Sequence, residues 1–236
     1  MTSLSPELVA LLTQSTTASL TAALQKRGIR NAFFAELRPG KPGQKMIGIA
    51  RTLRYVPMRE DLVPVLSTST NAQRRAIESI NPGEVLVMEA RGSTGAGTLG
   101  DIFAMRMLQR GAAGVVTDGC VRDSAAVGNV ALPSYYRAAH AATWSREHLP
   151  LEIDIPVVCS GVLVMPGDVI VGDDDGAMVI PIALVEEVAA EAAEAELRDT
   201  WGFERVSAGE STIGTFPIAK DRMAEFEAWR AARADS

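Results

Sequence analysis

Residues 84–123 constrain the fold more than any other stretch. They read EVLVMEA, RGSTGAGTLGD, IFAMRMLQRG and AAGVVTDGCVRD in succession. The pattern is a buried strand, a glycine-rich loop, a helix, a second buried strand and a short charged turn. The apolar runs Val85 to Met88 and Val115 to Val116 suit parallel strands covered on both faces. Gly111 stands where a glycine ends a helix. The candidate ligands Asp101, Asp118, Arg122 and Asp123 then fall at strand carboxyl ends or at the helix start. Small molecules bind at that end of open α/β sheets.

The composition sets outer limits. With 47% hydrophobic and 22% charged residues, 236 residues can fill a core as one domain. A net charge of -6 excludes a nucleic-acid partner as the default reading. Cys120 and Cys159 lack metal-ligand spacing and fit free thiols in a reducing compartment. No apolar run approaches a membrane span, and no signal-peptide pattern opens the chain, so a cytoplasmic location is expected.

Around the central unit the pattern predicts peripheral helices. Residues 5–27 carry two apolar stripes, Leu8/Leu11/Leu12 and Leu20/Ala23/Leu24, with Thr16 or Thr17 as the second N-cap. Residues 33–43 are loop-rich, 46–57 read as a strand and 71–80 as a short helix. Arg51, Arg54 and Arg59 read as a solvated strand face, or as a positive rim for an anion. Residues 129–150, with Tyr135, Tyr136, His140, Trp144 and His148, read as a surface excursion or as a lid. From residue 155 short strands follow: PVVCSGVLV, then VIVG and AMVIP around an Asp173–Gly176 hairpin tip. That tip lacks the later ligands of a calcium loop. A helix is expected over 183–200, and a last one bearing Phe226 and Trp229.

Gly95, Gly97 and Gly100 match GxGxxG, and Asp118 ends the next strand, as in dinucleotide sites. Three features oppose that reading. Four residues separate the strand from the loop, the following strands form hairpins, and Asp101 puts a carboxylate beside the pyrophosphate position. Asp101 makes sense if the ligand includes a hard cation such as magnesium or manganese. Asp123 then supplies further charge, and Arg122 a forked donor for substrate oxygens.

The spacing Gly95, five residues, Asp101, twenty residues, Arg122-Asp123 resembles the pattern of the RraA-like family, as do GAAGVVTDGCVRD and GVLVMPGDVIVGDDDGAMVIP. That family includes class II 4-hydroxy-4-methyl-2-oxoglutarate aldolases and regulators of ribonuclease E activity. The resemblance implies an α/β fold of the swivelling β/β/α type. It would form one domain over 1–236, with a helical extension at about 1–30 and a helical tail at about 183–236. It implies trimers or hexamers with sites at subunit interfaces. Asp123 would bind Mg2+ or Mn2+ directly and Asp101 through a water. Arg122 would bind a 2-oxo acid and stabilise its enolate. The backbone of Gly97, Thr98, Leu99, Gly100 and Asp101 would hold the substrate carboxylate. The implied reaction is retro-aldol cleavage of a 4-hydroxy-2-oxo acid, either 4-hydroxy-4-methyl-2-oxoglutarate-like or a 2-keto-3-deoxy sugar acid. Pyruvate is released, with oxaloacetate decarboxylation as a side activity. The alternative is a non-catalytic ribonuclease regulator. In one departure, Ala126 stands where many relatives carry an acid, and Glu191 or Glu194 of a neighbouring subunit is a candidate replacement.

Overall fold

The computed structural model describes residues 3–234; residues 1, 2, 235 and 236 of the expected extension and tail lie outside the described residues. Two capped helices come first, α1 (Pro6–Gln14) and α2 (Thr17–Lys26). The Ser5 and Thr16 side chains accept from the N–H groups of Leu8 and Ser19. Such caps each contribute about 1 kcal/mol. Leu8, Leu12, Leu20, Ala23 and Leu24 are buried, as their spacing predicts, while Leu11 is half-buried.

The chain then runs through β1 (Arg38–Pro39), β2 (Met46–Pro57), α3 (Val63–Leu66) and α4 (Ala72–Glu78). The central unit follows as β3 (Glu84–Glu89), β4 (Gly97–Leu99), α5 (Asp101–Gln109), β5 (Gly114–Thr117), β6 (Cys120–Val121) and α6 (Ser124–Asn129). Next come β7 (Ser134–Tyr136), β8 (Ala138–Ala139), β9 (His148–Ile153), β10 (Val157–Cys159), β11 (Val162–Val164), β12 (Val169–Asp173) and β13 (Gly176–Ile180). The long helix α7 (Val185–Ser207) and α8 (Met223–Ala234) complete the chain.

The main sheet has the order β1-β7-β5-β3-β2-β12-β13, with β9 also on β2. The expected parallel unit is present: β3 pairs β5 in the register Leu86↔Val115 and Val87↔Val116. The sheet curls into a nearly closed barrel. Beyond the β1 end, the preceding segment reaches β13, where Phe34 N donates to Ala177 O (2.9 Å) and Val179 N to Ala32 O (2.8 Å). The fold is thus the α/β, swivelling type. One core cluster lies under α1, α2 and α7; the other lies between the central strands and α4 and α5. A second sheet of three short parallel strands, β4-β6-β8, stands at the carboxyl ends of β3 and β5. In the sequence pattern β4 is indistinguishable from the glycine loop.

Several expectations are corrected. Arg51 is neither on a solvated face nor on a rim. It is 7% exposed and lies 3.3 Å from Asp154 and 3.7 Å from Glu84. Arg54 pairs with Glu89 and Glu152, and Arg59 with Asp61, so none of the three is a free cation. Residues 129–150 are not one continuous loop, because β7, β8 and the start of β9 lie within them. Tyr135 is buried, and its hydroxyl donates to Asp173 O at 3.0 Å. PVVCSGVLV is a hairpin, β10–β11, turning at Ser160-Gly161 with φ of 47° and 77°. Two successive positive φ values are what a tight two-residue hairpin turn requires. Helix α7 starts at Val185 and runs on to Ser207. Its Leu197 is exposed. Trp201 of α7 and Phe226 of α8 are fully buried against each other, 6.3 Å between ring centroids.

His148 is fully buried on β9, with Nδ1 3.1 Å from Arg91 Nη2 and Nε2 without a partner. Burial, and secondarily the Arg91 charge, push its pKa below the ordinary value of 6.5. The folded chain therefore resists the imidazolium more than the unfolded chain does. The resulting stability is complete above the unfolded pKa and is lost as pH falls through the folded one. Melting temperature is expected to drop between about pH 7 and pH 5. His148→Gln, which does not titrate there, should flatten that slope in thermal melts.

Candidate active site

β4 delivers the chain to α5, and β6 delivers it to Arg122 and Asp123. The two ends are stitched together by Arg122 N, which donates to Leu99 O at 2.7 Å. Gly97 must be glycine here. A Cβ on it would meet Arg122 Cγ at 2.4 Å, Arg122 N at 3.0 Å and His140 O at 3.1 Å. The missing side chain is what lets the Arg122 stem lie across β4. Arg122 Nε donates to Ala141 O at 2.9 Å. Among the described residues its two terminal nitrogens have no acceptor.

Asp123 adopts φ 52° and ψ 42° at the start of α6, a conformation that aspartate tolerates better than most residues. Its Oδ2 lies 3.5 Å from where a Gly100 Cβ would stand, so the carboxylate faces the start of α5. Asp101 is the first residue of α5, and its Oδ1 accepts from Ile102 N at 2.9 Å. Gly100 provides no side-chain cap. Helix geometry leaves the Asp101 and Phe103 N–H groups without intrahelical acceptors, at the positive end of the helix dipole.

These residues meet in a cleft of about 300 Å³. All seven expected site residues line it: Gly97, Thr98, Leu99, Gly100, Asp101, Arg122 and Asp123. Thr98 and Leu99 are each 1% exposed, so they offer backbone rather than side chain. The Thr98 hydroxyl donates to Cys120 O at 3.1 Å, and its carbonyl accepts from Gln73 Nε2.

The other lining residues were not assigned to the site by sequence reasoning: Gln73, Arg74, Ile102, Phe103, Thr143 and Trp144. Thr143 and Trp144 come from the stretch read as excursion or lid. Gly97 N donates to Ala142 O at 2.9 Å, which ties that segment to β4. Gln73 is 1% exposed, and its Oε1 has no partner.

Other candidates prove structural. Asp118 is buried and accepts from Ala90 N, Gly92 N (2.8 Å) and Ser160 N (3.4 Å). It fastens the glycine loop to the β10–β11 hairpin, and burial pushes its carboxyl above the ordinary range. A Cβ on Gly95 would lie 1.8 Å from Glu147 Oε1. Gly95 and Gly97 thus make room for protein side chains, which explains the GxGxxG match without a dinucleotide. Glu191 pairs with Lys26 and Arg27, and Glu194 with Arg198 and Arg230. Both acids suggested for a neighbour's site are engaged within their own chain.

The donor set in the cleft is two carboxylates, Asp101 and Asp123. Among the described residues no three His, Cys, Asp or Glu side chains converge as metal ligands. Ala126 lines an adjoining groove with Asp101 and Ile102 and adds no carboxylate. Such a set does not suit zinc. It fits magnesium or manganese, which keep several waters and take one or two carboxylates plus substrate oxygens.

Gly97→Ala is expected to cost about 1–3 kcal/mol in denaturant unfolding, because the new methyl overpacks against two backbone atoms and the Arg122 stem. Gly100→Ala meets only Asp123 Oδ2 at 3.5 Å and should cost less.

The barrel and the cleft lined by Gly97, Gly100, Asp101, Arg122 and Asp123 define an α/β protein with a candidate site beside a helix start. The family model described as "RraA-like: Aldolase/RraA" matches residues 17–179, and the chain belongs to that family. A Halalkalibacterium halodurans protein, named provisionally as a 4-hydroxy-4-methyl-2-oxoglutarate aldolase, is 31% identical over 172 residues, 73% of this chain and 76% of that protein. A Thermus thermophilus protein named 4-hydroxy-4-methyl-2-oxoglutarate aldolase, without that qualification, is 32% identical over 46% of this chain and 65% of its own. Among solved structures, Streptomyces coelicolor RraAS2 is described as an unusual member of the RNase ES inhibitor RraA family. It superposes with a TM-score of 0.77 at 33% identity, covering 87% of this chain and 98% of that one. A Pseudomonas syringae pv. tomato protein gives 0.81 at 27% identity, covering 91% and 94%.

Proposed function

We propose that the cleft cleaves 4-hydroxy-2-oxo acids to pyruvate and an aldehyde or oxo acid, as a divalent-metal-dependent pyruvate aldolase. The observation that carries this reading is Arg122: among the described residues its terminal nitrogens have no acceptor, and it shares one cleft with Asp101, Asp123 and a helix start without a side-chain cap. The aldolase names of relatives agree with it.

The substrate carboxylate docks on the N–H groups at the start of α5, where the helix dipole favours an anion. Asp123 and Asp101 would hold the cation, Asp123 as the direct ligand and Asp101 through a water. When bound, that ion supplies Lewis-acid polarisation of the keto group. Arg122 donates to the 2-oxo oxygen and strengthens its grip as enolate charge develops. The Asp101 carboxylate takes the C4 hydroxyl proton and is the donor that later returns a proton to C3. The C3–C4 bond breaks, its electron pair enters the enolate, and C4 becomes a carbonyl. Protonation at C3 then gives pyruvate. Among the described residues no lysine lines the cleft, so those residues do not support a Schiff-base route. The same enolate forms when oxaloacetate loses carbon dioxide, so that side activity belongs to the proposal.

A trimer or hexamer with sites at subunit interfaces, in the cytoplasm, also belongs to the proposal. Among the described residues, no helix is long and apolar enough to cross a membrane. A second reading, a ribonuclease-binding regulator, rests on the likeness to RraAS2. The test is pyruvate release from a panel of 4-hydroxy-2-oxo acids and oxaloacetate, beside a pull-down with an RNase E-type ribonuclease. Turnover on the panel supports the aldolase; a silent panel with specific ribonuclease capture supports the regulator.

A further inference from the structure

A groove of about 510 Å³ opens beside the cleft, lined by Asp101, Ile102, Met105, Ala126, Asn129 and Val130. Asp101 and Ile102 line the cleft as well, so the two spaces share a border. Two helices supply the walls: Asp101, Ile102 and Met105 come from α5, Ala126 and Asn129 from α6, and Val130 from just beyond it. Ile102 and Met105 are three positions apart, which makes them neighbours on one helix face. They are 77% and 44% exposed and belong to neither core cluster. A single exposed apolar residue carries no message, but an apolar strip continuous with a candidate site does. The lining also sorts the ligands that could enter. Among the described residues no lysine, arginine or histidine lines the groove, so an anionic group there would meet only the Asp101 charge. Asn129 is its one uncharged polar side chain, so a polyhydroxylated chain would leave most of its hydroxyls without protein partners. An alkyl chain loses water there and leaves no polar group unpaired.

We infer that this groove is the subsite for the leaving half of the substrate and that it takes an apolar tail, so that the preferred substrates are 4-hydroxy-2-oxo acids with an alkyl chain beyond C4. This rests on the proposed function. There Asp101 takes the C4 hydroxyl proton, which puts C4 against the one carboxylate that borders both cleft and groove. The oxo-acid half stays with Arg122 in the cleft. The substituent on C4 starts at the shared border and passes along Ile102 and Met105. When the C3–C4 bond breaks, its electron pair stays with the pyruvate enolate, and C4 departs through the groove as the carbonyl carbon of an aliphatic aldehyde.

The test measures pyruvate release from 4-hydroxy-2-oxopentanoate, 4-hydroxy-2-oxohexanoate and 4-hydroxy-2-oxooctanoate, whose tails are methyl, ethyl and butyl, beside 4-hydroxy-2-oxoglutarate. Along the alkyl series kcat/KM should rise about 2–4-fold per methylene, the return on a partly or fully covered CH2. The octanoate should outrun the diacid. Met105→Ser should flatten the series through KM while leaving the methyl-tailed acid near its wild-type rate, and Met105→Leu should keep the slope. Unchanged melting of Met105→Ser separates a lost contact from a damaged fold. A flat wild-type series, or the diacid as the best of the four, overturns the inference and leaves the aldolase reading standing. So does a rising series that Met105→Ser does not alter. A flat series together with loss of subunit assembly in Met105→Ser, read by light scattering, overturns it too and assigns the groove to a second copy of this chain. No pyruvate from any of the four or from the wider panel overturns the aldolase reading, and this inference with it.

Discussion

Arg122→Met is expected to lower kcat/KM for pyruvate release by about 10²–10³-fold, the effect of removing one preorganised oxyanion donor, ~2.7–4 kcal/mol. Methionine is the informative replacement. It keeps an aliphatic stem over Gly97, where Arg122 Cγ now covers the strand, and it deletes the charge and the forked donors. Among the described residues the guanidinium makes one hydrogen bond, to Ala141 O, and that bond is exposed, so little folding stability depends on it. Arg122→Lys restores a point charge without the fork and should recover part of the loss. Steady-state kinetics beside thermal melts checks this. Near-wild-type kcat/KM in a folded Arg122→Met protein would remove Arg122 from the chemistry.

Asp123→Asn is expected to raise the magnesium concentration for half-maximal activity by at least ~100-fold. Losing a group that merely orients a ligand already costs about 10–100-fold in metal affinity, and here the ligand's own charge goes. With Ala126 next to the site, no third carboxylate is present among the described residues to compensate. Asparagine is preferred to alanine because residue 123 sits at φ 52°, which Asn adopts readily and Ala does not. The charge effect is then separated from backbone strain. Magnesium titrations of activity, with calorimetric binding of the metal alone, read it. An unshifted titration would mean that Asp123 does not hold the ion.

Much of this site is legible in the sequence because its parts are local. Gly97, Gly100 and Asp101 lie within five residues where β4 runs into α5, and Arg122-Asp123 directly follow a buried run. Glycine spacing and strand periodicity report such short-range demands well. Arg74 and Gln73 were not legible, since their place in the cleft depends on how the seven residues of α4 pack against α5 and β4. Arg51 was misread for a related reason. An arginine among apolar strand residues looks solvated until its partner Asp154 is brought beside it from 103 positions away. Tyr135 and His148 look like loop residues because β7 is three residues long and follows Pro133, and β9 contains Pro150. Their burial is decided by pairing with β2 and β5, which no local pattern encodes.

The most direct test is pyruvate release by chelator-stripped protein on its best 4-hydroxy-2-oxo acid, as magnesium is returned. Turnover should vanish with the chelator and recover as the ion is added back. Undiminished turnover after complete metal removal would contradict the account.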